Sequence, residues 1–209
     1  QITSASLTQN GNPGRSFRYG YDSAANRLTE EMDIATNHFS YNALNELTAN
    51  SSSNGLSATY KWDAEHRLAI MNLGDRSTQF TYDGVGRRVG IRQLVNNSEV
   101  SNRRFVWCDN DICEERTAAG AVSKRFFELG MKVESGAAAG TYYYTRDHLG
   151  SVRELIDSIG NVRARYTYDP VGRRTRLAGD IDTDFGYAGM FVVDQAGLNL
   201  TRFRAYDPS

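Results

Sequence analysis

YYYTRDHLGSVRELIDSIGNVRARYTYDPVGRR, running from Tyr142 to Arg174, is the stretch whose reading decides the fold. It holds two β-strand sequences, VRELID (Val152 to Asp157) and VRARYTY (Val162 to Tyr168), joined by a turn at Ser158 to Asn161. Asp147-His148-Leu149-Gly150 precedes the pair and Tyr168-Asp169-Pro170-Val171-Gly172 follows it; both flanks are turn chemistry. Asp169 can accept hydrogen bonds from backbone amides beside it, Pro170 presets φ at the second turn position, and Gly172 tolerates positive φ. Shorter versions of the same phrase recur upstream, so this is a repeat protein.

Working outward, the repeats become regular. RSFRYGYDSAANRLTEEMD places Phe17, Tyr19 and Tyr21 in period-two alternation, which puts the rings on one face of a strand. A turn over Asp22 to Asn26 follows, and Leu28 opens a return strand. HFSYNALNELTA, ATYKWDAEHRLAIM and QFTYDGVGRRVGI repeat the pattern. The turn-entry aromatics Tyr21, Tyr41, Trp62 and Tyr82 are spaced by 20, 21 and 20 positions. That period is two strands and two turns, a hairpin that cannot bury its own apolar side and needs a neighbour to cover it. The Ser- and Asn-rich run from Ala49 to Gly55 reads as an exposed turn.

From position 101 the chain departs from the period. Arg103 to Trp107 reads as a strand, Cys113 to Thr117 is expected to pair with Val122 to Leu129 across a turn at Ala118 to Ala121, and Ala137 to Gly140 reads as a loose hairpin tip. The expected organisation is therefore hairpin units over 1–100, an irregular β connection over 101–141, and a distinct closing segment over 142–209.

Composition agrees with an all-β chain. Twelve Tyr and 19 Gly against 3 Pro favour many strands and tight turns. With 209 residues, 40% hydrophobic, the chain can bury a core, and a mean hydropathy of -0.54 makes it polar for its size; one extended domain is the simplest count. A net charge of -1 supplies no global attraction to nucleic acid or an anionic membrane. The Arg pairs 87-88, 103-104 and 173-174 read as solvated strand ends. No apolar run is long enough to span a bilayer. The first residue is Gln, and the chain is expected to be part of something longer whose address is missing.

YDSAANRLT, YNALNELT, WDAEHRLAI and YDGVGRRV resemble the tyrosine-aspartate (YD) repeats of the bacterial RHS family. YTRDHLGSVRELID, YTYDPVGRR, FGYAGMF and GLNLTRFRAYDPS resemble the RHS repeat-associated core that follows such repeats. The match covers Phe17 to Ser209. It implies a curved, mostly antiparallel sheet of stacked hairpins, part of a spiralling shell whose core-associated segment closes one end around a variable C-terminal effector or toxin. It also implies a secreted or cell-surface bacterial protein. Against the family pattern, the chain holds few repeats and stops at Tyr206-Asp207-Pro208-Ser209, where members continue to a second Asp-Pro.

The candidate chemistry is sparse. The resemblance puts Arg204 and Asp207 where a self-cleaving aspartyl machinery begins, but its second carboxylate would lie beyond Ser209; bonding of Asp207 to turn amides is the plainer reading. Asp147 and His148 lack a matching nucleophile motif and read, with Gly150, Asp169, Pro170 and Gly172, as turn residues. His38 and His66 have no partner at metal-ligand spacing. Cys108 and Cys113 bracket a plausible hairpin tip, where a disulfide and two free thiols are both open. Asp109, Asp111, Glu114 and Glu115 lack Ca²⁺-loop spacing and read as a solvated loop. Tyr168 and Tyr206 extend the aromatic series, and exposed Tyr rows would suit sugar stacking.

The leading expectation is a non-enzymatic shell fragment, without cofactor or metal. Its partners would be the rest of the parent protein, its cargo domain and, through open sheet edges, another copy. The alternatives are a surface module binding carbohydrate or protein, and an incomplete self-cleaving protease segment.

Overall fold

The computed structural model describes residues 3–9, 12–53, 55 and 57–208. Asn54 of the expected Ala49–Gly55 turn and Ser209 at the end of the closing segment lie outside the described residues. The chain forms two compact units, 1–77 and 78–209, divided inside the region read as 1–100.

The first unit is an antiparallel meander of β1 (Ser4–Gln9), β2 (Asn12–Tyr21), β3 (Arg27–Met32), β4 (Ala35–Tyr41), β5 (Leu47–Ser52), β6 (Ala58–Trp62) and β7 (Leu68–Leu73). Each strand pairs with the next along the chain. β8 (Arg76–Tyr82) straddles the division. The second unit continues with β9 (Arg88–Val95), β10 (Ser98–Cys108), β11 (Asp111–Thr117), β12 (Val122–Phe127) and β13 (Gly130–Val133). β14 (Gly140–Arg146), β15 (Val152–Asp157), β16 (Val162–Tyr168) and β17 (Arg174–Gly179) complete its main sheet, again by neighbour pairing. A separate three-stranded sheet follows, made of β18 (Phe191–Val193), β19 (Leu198–Leu200) and β20 (Ala205–Tyr206). The described residues include only two 3₁₀ turns, and no helix is long and apolar enough to cross a membrane.

The alternation read from sequence is the alternation of burial. In β14, Tyr142 and Tyr144 are buried while Tyr143 between them is 51% exposed. In register with Tyr144 stand Leu155 and Ala164, both buried, so one inward row crosses three strands. In β6, Ala58 and Tyr60 are buried between outward Thr59 and Lys61.

The repeat has a precise backbone device. Gly20 faces Thr29 but Tyr21 faces Arg27, leaving Leu28 as an extra residue in the return strand. The same one-residue bulge leaves out Thr48 after Tyr41 and Ala69 after Trp62. The expected pairing of β11 with β12 is present, closed by the Thr117 to Ala121 turn. The segment after position 100 is more regular than its spacing suggests. Trp107 faces Ile112 with Cys113 as the extra residue, and Arg146 faces Val152 with Arg153 extra. Both occupy the turn-entry place of the earlier aromatics.

The reading of the Arg pairs as solvated ends is corrected. Arg88 is 4% exposed, and Arg103 and Arg174 are largely buried, while Arg87, Arg104 and Arg173 face outward or lie half-exposed. Neighbours along a strand point to opposite faces, so a pair of arginines must send one side chain inward.

Candidate functional site

Among the described residues, seven turns share one construction. The carboxylate or amide oxygen of Asp22, Asn42, Asp63, Asp83, Asp147, Asp157 and Asp169 accepts the amide N–H two residues on and the amide four residues on, at 2.8–3.1 Å. The residue three places on has positive φ: Ala25, Asn45, His66, Gly86, Gly150, Gly160 and Gly172. This is the role expected of Asp169 and Gly172, and it applies equally to Asp147 and Gly150. Burial pushes the Asp147 carboxyl up, but the Ser151 amide and hydroxyl, the Leu149 amide and the neighbouring His148 together outweigh it and hold the carboxyl below the usual range. His148 sits in the same turn, and among the described residues no group of three or more His, Cys, Asp or Glu side chains is placed to hold a metal ion.

A second regularity joins hairpin to hairpin. The turn-entry side chain donates to the carbonyl just past the preceding turn: Tyr41 Oη to Arg27 O at 3.1 Å, Trp62 Nε1 to Leu47 O at 2.7 Å, Trp107 Nε1 to Arg88 O at 2.7 Å, and Tyr168 Oη to Val152 O at 2.7 Å. Arg146, at the same turn-entry place, donates instead to Glu128 O inside the β12–β13 turn, at 3.1 Å. Arg27, Leu47 and Val152 each stand beside the extra residue of a bulge, so the bonds from Tyr41, Trp62 and Tyr168 fall where the ladder is interrupted. Tyr21 and Tyr82 end β2 and β8 at the equivalent place. Burial pushes the Tyr168 hydroxyl up to about 12, with Arg174 and Arg153 opposing.

His66 Nδ1 lies 2.8 Å from Glu46 Oε1, and Asn26 Nδ2 donates to Asn45 Oδ1 at 2.9 Å, linking neighbouring turns laterally. His38 is exposed on β4.

The chain after β17 builds a cap on the inward face of the second unit. Phe185 and Phe191 meet edge-to-face at 5.6 Å; Phe126 approaches Phe185 at 5.2 Å and Phe105 approaches Phe191 at 5.1 Å. Beside the rings, Asp184, 7% exposed, accepts from Arg103 Nη1 at 3.2 Å and Lys124 Nζ at 2.6 Å. Burial lowers the Lys124 amine's pKa, but Asp184 and Glu115 more than offset this and raise it. Glu115, read as part of a solvated acidic loop, is 5% exposed because β11 register puts it opposite Phe105 and Lys124 on the inward face. Asp109 and Asp111 are exposed, and Glu114 pairs with Arg116 and Arg125. Ser151 is fully buried and its Oγ accepts the Ala188 amide at 3.0 Å, tying the cap to the central turn.

Cys108 and Cys113 form a disulfide with Cα atoms 5.6 Å apart, closing the β10–β11 tip. The alternative of two free thiols is thereby excluded in this structure. Arg204 is exposed and its amide closes a turn onto Thr201 Oγ1 at 3.0 Å. Tyr206 donates to Val171 O at 2.7 Å, and Asp207 follows it, half-buried, just ahead of Pro208, whose carbonyl accepts from Arg173 Nε at 2.9 Å.

No family model matches the chain. It is 27% identical over 219 aligned residues to the tRNA3(Ser)-specific nuclease WapA of Bacillus spizizenii, covering 93% of this chain and 9% of that protein. It is 24% identical to the double-stranded DNA deaminase toxin A of Burkholderia cenocepacia, over 88% of this chain and 15% of that protein. A probable deoxyribonuclease RhsB of Dickeya dadantii matches at 24%, over 72% and 11%. The chain's homologues are WapA and Rhs toxin proteins. It spans about a tenth of the length of these relatives. A solved TcdB2–TccC3–Cdc42 structure superposes with a TM-score of 0.54 at 14% identity, covering 94% of this chain and 15% of that one. A TcdB2–TccC3 structure gives 0.53 at 13%, covering 100% and 16%. The antiparallel β fold is therefore shared with those structures.

Proposed function

We propose that this chain is a wall and closing segment of an RHS-type shell that encloses or presents a C-terminal effector, and that it catalyses no reaction itself. The observation that carries this reading is the Phe185–Phe191 cap seated on Phe105 and Phe126: an apolar surface is spent on closing the inward face rather than on building a cleft around reactive groups. The nuclease and toxin names of the relatives support a cargo beyond this segment, and with it a secreted or cell-surface setting. Arg204 and Asp207 serve as turn and tail residues here.

In the parent protein, an enclosed effector should resist added protease, and Phe191→Ala should make it accessible. An effector digested equally fast in both would end the enclosure reading. If the chain extended past Ser209 cuts itself and Asp207→Asn does not, the segment carries part of a protease and the non-enzymatic assignment fails.

One observation favours a second reading. Phe127 and Tyr143, 58% and 51% exposed, stand in register across Gly130, and the row continues through Ile156 to Val162. An outward apolar row across five strands suits a recognition surface for carbohydrate or protein. Saturable binding on a glycan array, lost in Tyr143→Ala, would establish it.

A further inference from the structure

Buried arginines in the second unit come with carboxylates. Arg103 has Asp184 and Glu115, and Arg174 has Asp194. Arg88 is the exception. It is 4% exposed, more deeply buried than either, yet among the described residues no carboxylate lies within ion-pairing distance of it. Its guanidinium lies 5.3 Å from the Phe80 ring centroid and 5.5 Å from that of Tyr82, whose hydroxyl also accepts a hydrogen bond from it, and Nη1 makes one long bond, 3.4 Å, to Thr201 O. Its Nε is buried without a hydrogen-bond partner. Taking a cation out of water without a counter-charge is costly, and ring faces repay only part of that cost.

Arg88 lines a cavity of about 260 Å³ between the β10–β11 tip and the cap. Arg202 lines the same cavity, and its Nε is likewise buried and unpartnered, while its other arm bonds Asn110 Oδ1. Two donors of the same kind, each left unsatisfied, thus border one small space. The remaining wall is largely apolar, with Trp107, Ile112, Phe191 and Leu200, and one acid, Asp111.

The geometry points to a binding site for a carboxylate on an apolar body. Guanidinium groups present paired N–H donors that match the two oxygens of a carboxylate. Two arginines against Asp111 leave about one net positive charge, which suits a monoanion over a phosphate dianion, and the aromatic wall suits an aryl or branched aliphatic group. The carboxylate can come from a free organic acid or from an acidic side chain on a peptide; the chemistry at Arg88 is the same.

Titrating the protein with benzoate, phenylacetate, the blocked dipeptide acetyl-Leu-Asp-amide and inorganic phosphate, while following the arginine Nε–H resonances by NMR, separates these cases. Saturable shifts with benzoate or phenylacetate identify a free acid as the source, and shifts with the dipeptide alone identify a peptide. In Arg202→Gln, whose residue lies near the surface and should fold, the affinity should fall at least tenfold, and Arg88→Lys should abolish the shift while a folded spectrum persists. Should Arg88→Lys not fold, the Arg202→Gln comparison decides alone. No saturable shift with any carboxylate at 10 mM or so, equal affinity in Arg202→Gln, or tighter binding of phosphate would overturn the proposal.

Discussion

An Asp in these turns works as a double acceptor, and that explains both why Asp recurs and why Asn42 is tolerated: each offers one oxygen to two amides. The ionised form binds more strongly, so Asp22, Asp63, Asp83, Asp147 and Asp157 all sit below their ordinary value of 3.8. A carboxyl lowered by folding contributes its stability in full above its unfolded pKa and loses it as the pH falls through the folded one. Urea titrations should therefore show stability constant above pH 5 or so and declining below about pH 4. Asp147→Asn should keep the fold, cost about 1 kcal/mol at pH 7 and flatten the acid decline. The glycines are graded in the same way. Gly172 has φ +88 and a Cβ there would meet the Tyr187 ring at 2.5 Å, whereas Gly150 at φ +83 has open space. Gly150→Ala should cost about 1 kcal/mol from the backbone alone, and Gly172→Ala about 3 kcal/mol. Equal losses in thermal or urea unfolding would show that the ring contact carries nothing. Asp169 and Gly172 were legible because turn chemistry is local. Arg88 was not, because only the register of β9 turns it inward.

At the level of the element, a hairpin becomes a repeat through the bulge and the bond that covers it. Trp62→Phe keeps the ring and removes the indole N–H, leaving Leu47 O without that donor; the expected loss is about 1 kcal/mol, with slower-exchanging amides of β5 and β6 becoming faster. Unchanged stability and exchange would make the indole bond incidental. The period of 20 or 21 residues announced the equivalence of Tyr21, Tyr41 and Trp62, since identical local roles demand similar spacing. It could not announce Trp107, whose hairpin has a disulfide-closed tip in place of the Asp turn, or Arg146, which holds the turn-entry place but donates into the β12–β13 turn. The disulfide itself was an open alternative, because strand ends determine Cβ separation only once their pairing is known.

Across the molecule, the cap concentrates what matters most. Asp184→Ala would leave Arg103 and Lys124 buried without their shared acceptor, a loss of about 3–5 kcal/mol. Hydrogen exchange should then rise through 181–208 first, with the first unit's ladder retaining its protection; uniform loss across both units would contradict a local role. Alternating apolar residues, turn chemistry and the hairpin period determined from sequence alone that the chain is all-β, antiparallel and repetitive, because each of these is written in neighbours a few positions apart. Which face each strand turns inward, how the division at Ser77 falls, and how Asp184, Phe185 and Phe191 come to meet β10 and β12 were decided by tertiary structure. Those contacts join residues some 60 to 80 positions apart, and no local rule specifies a partner at that distance until the sheet has brought it near.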